Sequence, residues 1–138
     1  MKRVLFSTLA ALALGGCATM SQESGGTQAG SPKEMKIAFD ITDGNTQALI
    51  TKLTVIDLTR KQLIESGVTP KLVLAFRGDA SYYTQTNLSL VKDTDRADAL
   101  KIAAQLRALR KASGVEALEQ CNVPLAARKL KPADVMRR

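Results

Sequence analysis

Three short apolar runs, each ended by turn residues, predict β-strands at residues 35–42, 71–76 and 115–121. The second run, KLVLAF, is apolar almost throughout, which is typical of a strand covered on both faces of a parallel sheet. The third run is half polar, because Glu116, Glu119 and Gln120 interrupt it. The third strand is therefore a weaker prediction than the second.

Helical spacing of apolar residues separates these strands. Spacings of three, four and seven predict long helices over residues 46–66 and 95–113, and a short helix is predicted from Asn122 to Arg128. Residues 80–92 fit either a short helix or an irregular connection. The apolar positions that define the two long helices are Leu49, Leu53, Ile56, Leu63, Ala99, Ile102, Leu106 and Leu109.

The order of these elements, β-α-β-α-α-β-α, predicts an α/β domain over residues 34–138. Right-handed crossovers between successive strands would build a small parallel sheet, which we expect to carry helices on both faces.

The first residues have the pattern of a secretion signal. Lys2 and Arg3 precede an apolar run at residues 4–14, which is too short for a membrane-spanning helix of about 20 residues. The sequence LGGC that ends this segment resembles the bacterial lipobox. The resemblance implies that residues 1–16 are removed and that Cys17 carries acyl chains, so that the Ser- and Gly-rich residues 17–33 form a flexible tether.

Charge and the residue after Cys17 bear on location. Ala18 is not the aspartate that retains lipoproteins at the inner membrane, so we expect the periplasmic face of the outer membrane, with the inner membrane as the alternative. The net charge of +7 falls to +5 once Lys2 and Arg3 are removed. A basic surface favours anionic headgroups, but basic and aromatic residues do not interleave, so no nucleic-acid partner is expected.

Residues capable of chemistry follow the predicted strands. Because loops converge beyond the carboxyl ends of parallel strands, we expect one candidate site there, made from Asp40, Asp43, Arg77, Gly78, Asp79, Cys121 and Asn122. Cys121 would begin a helix, where backbone N–H groups favour a thiolate. The alternative is that Cys121 is a buried apolar filler without reactivity.

Residue types that the sequence lacks exclude some kinds of catalytic and metal site. The chain has no histidine, which excludes a Cys–His couple and the usual zinc sites, and we expect neither a metal nor a cofactor. If Cys17 is lipidated, Cys121 has no intramolecular disulfide partner. A thiol in that position would pair between chains or act as a redox carrier.

The segments KIAFDITDGN, KLVLAFRGDA and GVEALEQCNVPLAARKLKPADV together resemble the DsrE/DsrF-like sulfur-relay family. Asp43 and Gly78 match the family's two strand-end turns, and Cys121 with Asn122 matches its cysteine motif. The resemblance implies an oligomeric α/β domain, in which Cys121 would carry a persulfide between a donor and an acceptor protein. The chain departs from the family in being secreted and in lacking the usual C-terminal strand, which would leave a sheet edge exposed.

These features predict a carrier or binding protein rather than a turnover enzyme. The rival hypothesis is a structural or interaction lipoprotein in which Cys121 is buried and inert. A third possibility, an enzyme acting through Asp43, Arg77 and Asp79, competes with the ordinary use of such residues in turns and caps.

Overall fold

The computed structural model describes residues 33–137, so that the predicted signal peptide, Cys17 and nearly all of the tether lie outside the described residues. The three strands are β1 (Glu34–Ile41), β2 (Thr69–Phe76) and β3 (Val115–Gln120). The α-helices are α1 (Thr46–Glu65), α2 (Arg96–Lys111) and α3 (Asn122–Ala127). Short 3₁₀ helices lie at Gly78–Tyr83, Leu88–Leu90, Asp93–Asp95 and Pro132–Asp134.

The strands form one parallel sheet in the order β1-β2-β3. Glu34 pairs with Thr69 and Ile41 with Phe76, whereas an irregularity between Leu72 and Val73 shifts the pairing with β3. The parallel sheet and the order of strands and helices confirm the predicted fold class.

Helix α1 begins and ends where local chemistry directs it. The Asn45 side chain caps α1 by accepting a hydrogen bond from the Ala48 backbone N–H at 2.9 Å. After α1 the chain turns at Gly67, whose φ of +76° suits a residue without a Cβ. The predicted bounds are therefore close to the observed ones.

The two long helices differ from the expectation in where they lie. They contact each other and bury their apolar stripes in one core with the same face of the sheet, including Leu53, Leu106, Leu72, Leu74 and Phe76. This follows from the strand order, because two crossovers of one hand that advance in one direction put both helices on one side.

The opposite face of the sheet carries small and charged residues. The apolar residues on this face are half-buried or exposed: Ala38, Val73, Ala75 and Ala117. Charged residues such as Lys36, Asp40, Lys71 and Glu119 lie two positions away along the same strands and so share this face. We call this surface, from β1 across β2 to β3, the open sheet face.

Residues 80–92, which fitted two predictions, form 3₁₀ turns and irregular chain rather than an α-helix. They nevertheless belong to the core, because Ala80, Tyr83 and Val91 are buried in the main apolar cluster. These side chains fill space beside α2 and hold the connection close to the sheet.

The C-terminal segment returns to this connection. The Met136 N–H donates to the Thr84 carbonyl at 2.8 Å, the Thr86 N–H donates to the Asp134 carbonyl at 2.9 Å, and Val135 and Met136 are buried. In the described residues, β1 and β3 are therefore the edges of the sheet. No helix within residues 33–137 is long and apolar enough to cross a membrane.

Candidate functional site

Cys121 lies directly after β3 and is exposed to solvent. It is the N-cap residue of α3, and its backbone N–H continues the sheet by donating to the Phe76 carbonyl at 3.0 Å. The hypothesis of a buried filler is therefore wrong, because the chain leaves the sheet at this residue and no element packs over its side chain enough to bury it. A thiol in this position is accessible to a reagent or to another protein.

Arg77 is the neighbour of Cys121 across the end of the sheet, since it follows Phe76 just as Cys121 follows Gln120, the residue paired with Phe76. Its guanidinium holds Asp40 in a two-pronged ion pair, with Nε and Nη2 donating to the two carboxylate oxygens at 2.6 and 2.5 Å. This hydrogen bonding lowers the pKa of Asp40.

The ion pair with Asp40 also changes the pKa of Arg77. The pKa of Arg77 is raised, first by its hydrogen bond to Asp40, then by the charge of Asp40 and, more weakly, by a thiolate charge at Cys121. The arginine and the cysteine directly follow the paired residues Phe76 and Gln120 at the ends of β2 and β3. A cation beside the thiol attracts anionic reagents, while Asp40 offsets part of that attraction.

Asp79 and Gly78 form a second group of contacts, with the helix that follows the cysteine. Arg128, just after α3, donates to the Asp79 carboxylate at 2.6 Å and to the Gly78 carbonyl at 3.3 Å. Its guanidinium also lies 5.8 Å from the centre of the Tyr82 ring. These contacts fix α3, and with it Cys121, against the loop that follows β2.

A cleft of about 350 Å³ opens beside this group. Tyr83 forms part of its wall, and its hydroxyl lies 3.3 Å from both the Asp95 carboxylate and the Gly44 carbonyl. Burial, followed by the charge of Asp95, raises the pKa of Tyr83. The polar side chains lining the cleft are Asp79, Tyr82, Tyr83, Lys92, Asp95 and Arg128.

Of the remaining predicted residues, Asn122 directly follows Cys121 in the chain, whereas Asp43 is bound to α1. Asp43 pairs with Lys52 of α1 at 2.5 Å, so its carboxylate ties the loop between β1 and α1 to that helix. Asn122 is exposed as the first residue of α3. Gly44 lies against Asp79, since a Cβ on Gly44 would come within 2.7 Å of the Asp79 Cβ.

The predicted residues are thus divided between two neighbouring surfaces. Arg77 and Cys121 share the end of the open sheet face, whereas Asp79 lines the cleft and Gly78 binds Arg128, another residue of the cleft wall. Sequence reasoning did not assign Lys92, Asp95 or Arg128 to the site. Only Arg128 offered a signal, since it lies two helical turns beyond Cys121.

Buried polar side chains also concentrate near this end of the sheet. Ser81, Thr84, Gln85 and Gln120 are buried, and Gln120 directly precedes the cysteine. Both amide atoms of Gln120 lack a hydrogen-bond partner among the described residues. Buried polar atoms without a partner are rare in folded proteins, because each one loses its hydrogen bonds to water without replacement.

Within residues 33–137, no group of three or more acidic or cysteine side chains is arranged to hold a metal ion. We compared the chain with models of known protein families, with curated proteins and with solved structures, and none of them matched. The site is therefore described by its own geometry: an exposed thiol beside a paired arginine, next to a polar cleft.

Proposed function

We propose that this chain is a membrane-tethered thiol carrier that accepts sulfane sulfur on Cys121 and passes it to a partner protein. The proposal joins the resemblance to the DsrE/DsrF-like family with the position of the cysteine. It includes lipidation at Cys17 and residence on the periplasmic face of the outer membrane, with the inner membrane as the alternative.

The observation that carries the proposal is the exposure of Cys121 beside Arg77 at the end of the sheet. A carrier needs a sulfur that two different proteins reach in turn, which an exposed residue at a sheet end allows. Sulfane sulfur donors such as polysulfide are anionic, and Arg77 supplies the opposite charge at short range.

The transfer step balances without an oxidant or a cofactor. The Cys121 thiolate attacks the outer sulfur of a donor persulfide, forming a new S–S bond while the donor's S–S bond breaks. The bonding electron pair leaves with the donor thiolate, and the proton of the persulfide stays on the transferred sulfur. An acceptor thiolate then repeats the same exchange on the Cys121 persulfide.

The test uses the chain from residue 17 onwards with Cys17→Ser, so that Cys121 is the sole thiol. The reduced protein is treated with polysulfide, freed of reagent and analysed by mass spectrometry. We expect a mass increase of whole sulfur atoms on the peptide containing Cys121, removed by dithiothreitol and absent from a Cys121→Ser control. An unmodified Cys121 in the folded, reduced protein would refute the carrier function.

An interaction lipoprotein without thiol chemistry is the second candidate. The open sheet face favours it, because parallel sheets are usually covered on both faces and small residues such as Ala38 and Ala75 invite a partner there. In that case the protein would bind its partner normally with Cys121→Ser.

A further inference from the structure

Three cations on the last turns of α2 have no carboxylate partner among the described residues. Arg110 and Lys111 come three and four residues after Arg107, which puts all three side chains on one side of α2. Arginines elsewhere, such as Arg60 and Arg96, each pair with an aspartate within 3.0 Å. We call Arg107, Arg110 and Lys111 the basic patch.

The basic patch surrounds a recess rather than a flat surface. A cleft of about 230 Å³ lies between these three side chains, Thr86 and Met136. The exposed cation Arg137 follows Met136 in the chain. Two arginine forks and an ammonium group around one recess suit a phosphate group, because guanidinium groups bind phosphate oxygens in pairs.

Helix electrostatics explains part of this arrangement. The negative end of the helix dipole favours Arg110 and Lys111 in the last turn of α2. It does not explain the position of Arg107 one turn earlier or the recess.

The nearby acid Asp134, two residues before Met136, accepts a hydrogen bond from the Lys131 N–H at 2.7 Å through its carboxylate. The acids near the starts of β1 and β3 have lysine partners: Glu116 lies 2.9 Å from Lys71, and Glu34 lies 3.8 Å from Lys71 and 3.9 Å from Lys36.

The position of the basic patch relates it to the predicted tether. α2 runs back along the sheet, so its C-terminal end lies at the edge where the parallel strands begin, and only three residues separate Lys111 from the start of β3. β1 also begins at this edge, with Glu34. The segment from Cys17 therefore enters the domain at the same end as the basic patch.

Cys121 lies at the other end of the sheet. A strand of eight residues such as β1 separates the two edges by roughly 25 Å. The predicted tether of sixteen residues between Cys17 and Glu34 would span about 20 to 25 Å, which would keep the domain within reach of the bilayer surface.

We propose that the basic patch docks on the phosphate headgroups of anionic phospholipids and turns Cys121 away from the membrane. The orienting role rests on the proposed lipid tether, whereas headgroup binding does not. A few cations bind a bilayer weakly, but the tether supplies a high effective concentration of headgroups. Docking would thus present the sulfur to partner proteins rather than to lipid.

The test measures sedimentation of the unlipidated chain, from residue 17 with Cys17→Ser, with lipid vesicles at low salt. We expect it to partition onto vesicles of phosphatidylcholine mixed with phosphatidylglycerol but not onto phosphatidylcholine alone. Each neutralised cation weakens partitioning about fivefold, so R107Q/R110Q/K111Q loses binding on the order of a hundredfold. The matched control K92Q/K101Q/K129Q removes the same charge elsewhere and changes partitioning far less.

Three results would overturn the proposal. They are equal partitioning onto both kinds of vesicle, an equal loss in the two triple variants, and displacement by dilute inorganic phosphate that also binds the protein without vesicles. Circular dichroism verifies that each variant is folded. Polysulfide loading of Cys121 in the same samples is a separate readout, so failure of headgroup binding and failure of the thiol function are distinguishable.

Discussion

At the scale of residues, the proposed chemistry depends on the charges next to one sulfur atom. Arg77 lies beside Cys121, and Asp40 holds the arginine from the other side through two hydrogen bonds. The order of charges along the sheet end is therefore acid, base, thiol. Residues further away, such as Asp43, are occupied by other partners and leave this balance unchanged.

Removing the charge of Arg77 and removing that of Asp40 should change the reaction rate of the Cys121 thiol in opposite directions. We expect Arg77→Gln to slow the reaction of Cys121 with an anionic disulfide reagent about two- to fivefold, which corresponds to the modest energy of an exposed charge pair. Asp40→Asn should accelerate that reaction, because it leaves Arg77 unopposed. Stopped-flow absorbance measures both rates.

A neutral reagent provides the control for these variants. Reaction with iodoacetamide should change less than reaction with the anion in both cases, because no reagent charge meets the arginine. Equal effects on both reagents, or a change of the same sign in both variants, would show that Arg77 does not steer anions to Cys121.

At the scale of elements, the sequence predicted the helices and strands whose formation depends on residues close together in the chain. The apolar periods of Leu49, Leu53 and Ile56 and the run at residues 71–76 gave the right kinds of element, because each buries one stripe or face. Residues 80–92 were ambiguous, since their buried side chains depend on α2 and on the C-terminal segment. The partner chosen by Asp79 depends on where α3 lies, which no local pattern reveals.

Gly114 determines how α2 connects to β3. Its φ is +81°, and a Cβ there would lie 2.5 Å from the Pro70 Cγ and 3.0 Å from the Pro70 carbonyl. We expect Gly114→Ala to lower the free energy of unfolding by about 2 to 4 kcal/mol, from backbone strain and overpacking together. Urea denaturation monitored by circular dichroism measures this loss.

Gly67 is the matched control for that substitution. Its φ of +76° imposes similar backbone strain, but a Cβ there meets nothing within 4 Å. Gly67→Ala should therefore cost about 1 kcal/mol. Equal losses in the two variants would show that contact with Pro70 does not constrain the turn.

At the scale of the whole molecule, the domain has two unlike sides. Both long helices cover one face of the sheet, whereas the open sheet face carries small residues among charges. A second copy related by a two-fold axis along the strands would lay β1 opposite the copy's β3. Lys36 would then lie near the level of Glu116, whereas Asp40 would lie level with Glu119, so the proposed homo-oligomer rests on the small uncovered residues of this face and not on charge pairing.

Val73 lies at the centre of the open sheet face, paired with Ala38 and Ala117. We expect the unlipidated chain to sediment as a dimer or larger oligomer, and Val73→Glu to convert it to a folded monomer. Thr51→Glu, on the exposed side of α1, should leave the oligomer intact. A monomeric parent protein, or an oligomer that survives Val73→Glu, would contradict assembly through this face.

The labelling rate of Cys121 in the native protein is the most direct test of whether its thiol is accessible enough to act as a carrier. Its labelling by iodoacetamide is timed by mass spectrometry in native buffer and in denaturant, over a series of pH values, in the chain with Cys17→Ser. The account predicts native labelling at least as fast as in the unfolded chain, with a rate that rises with pH as the thiolate forms. Labelling many times slower in the native protein would contradict an accessible carrier thiol.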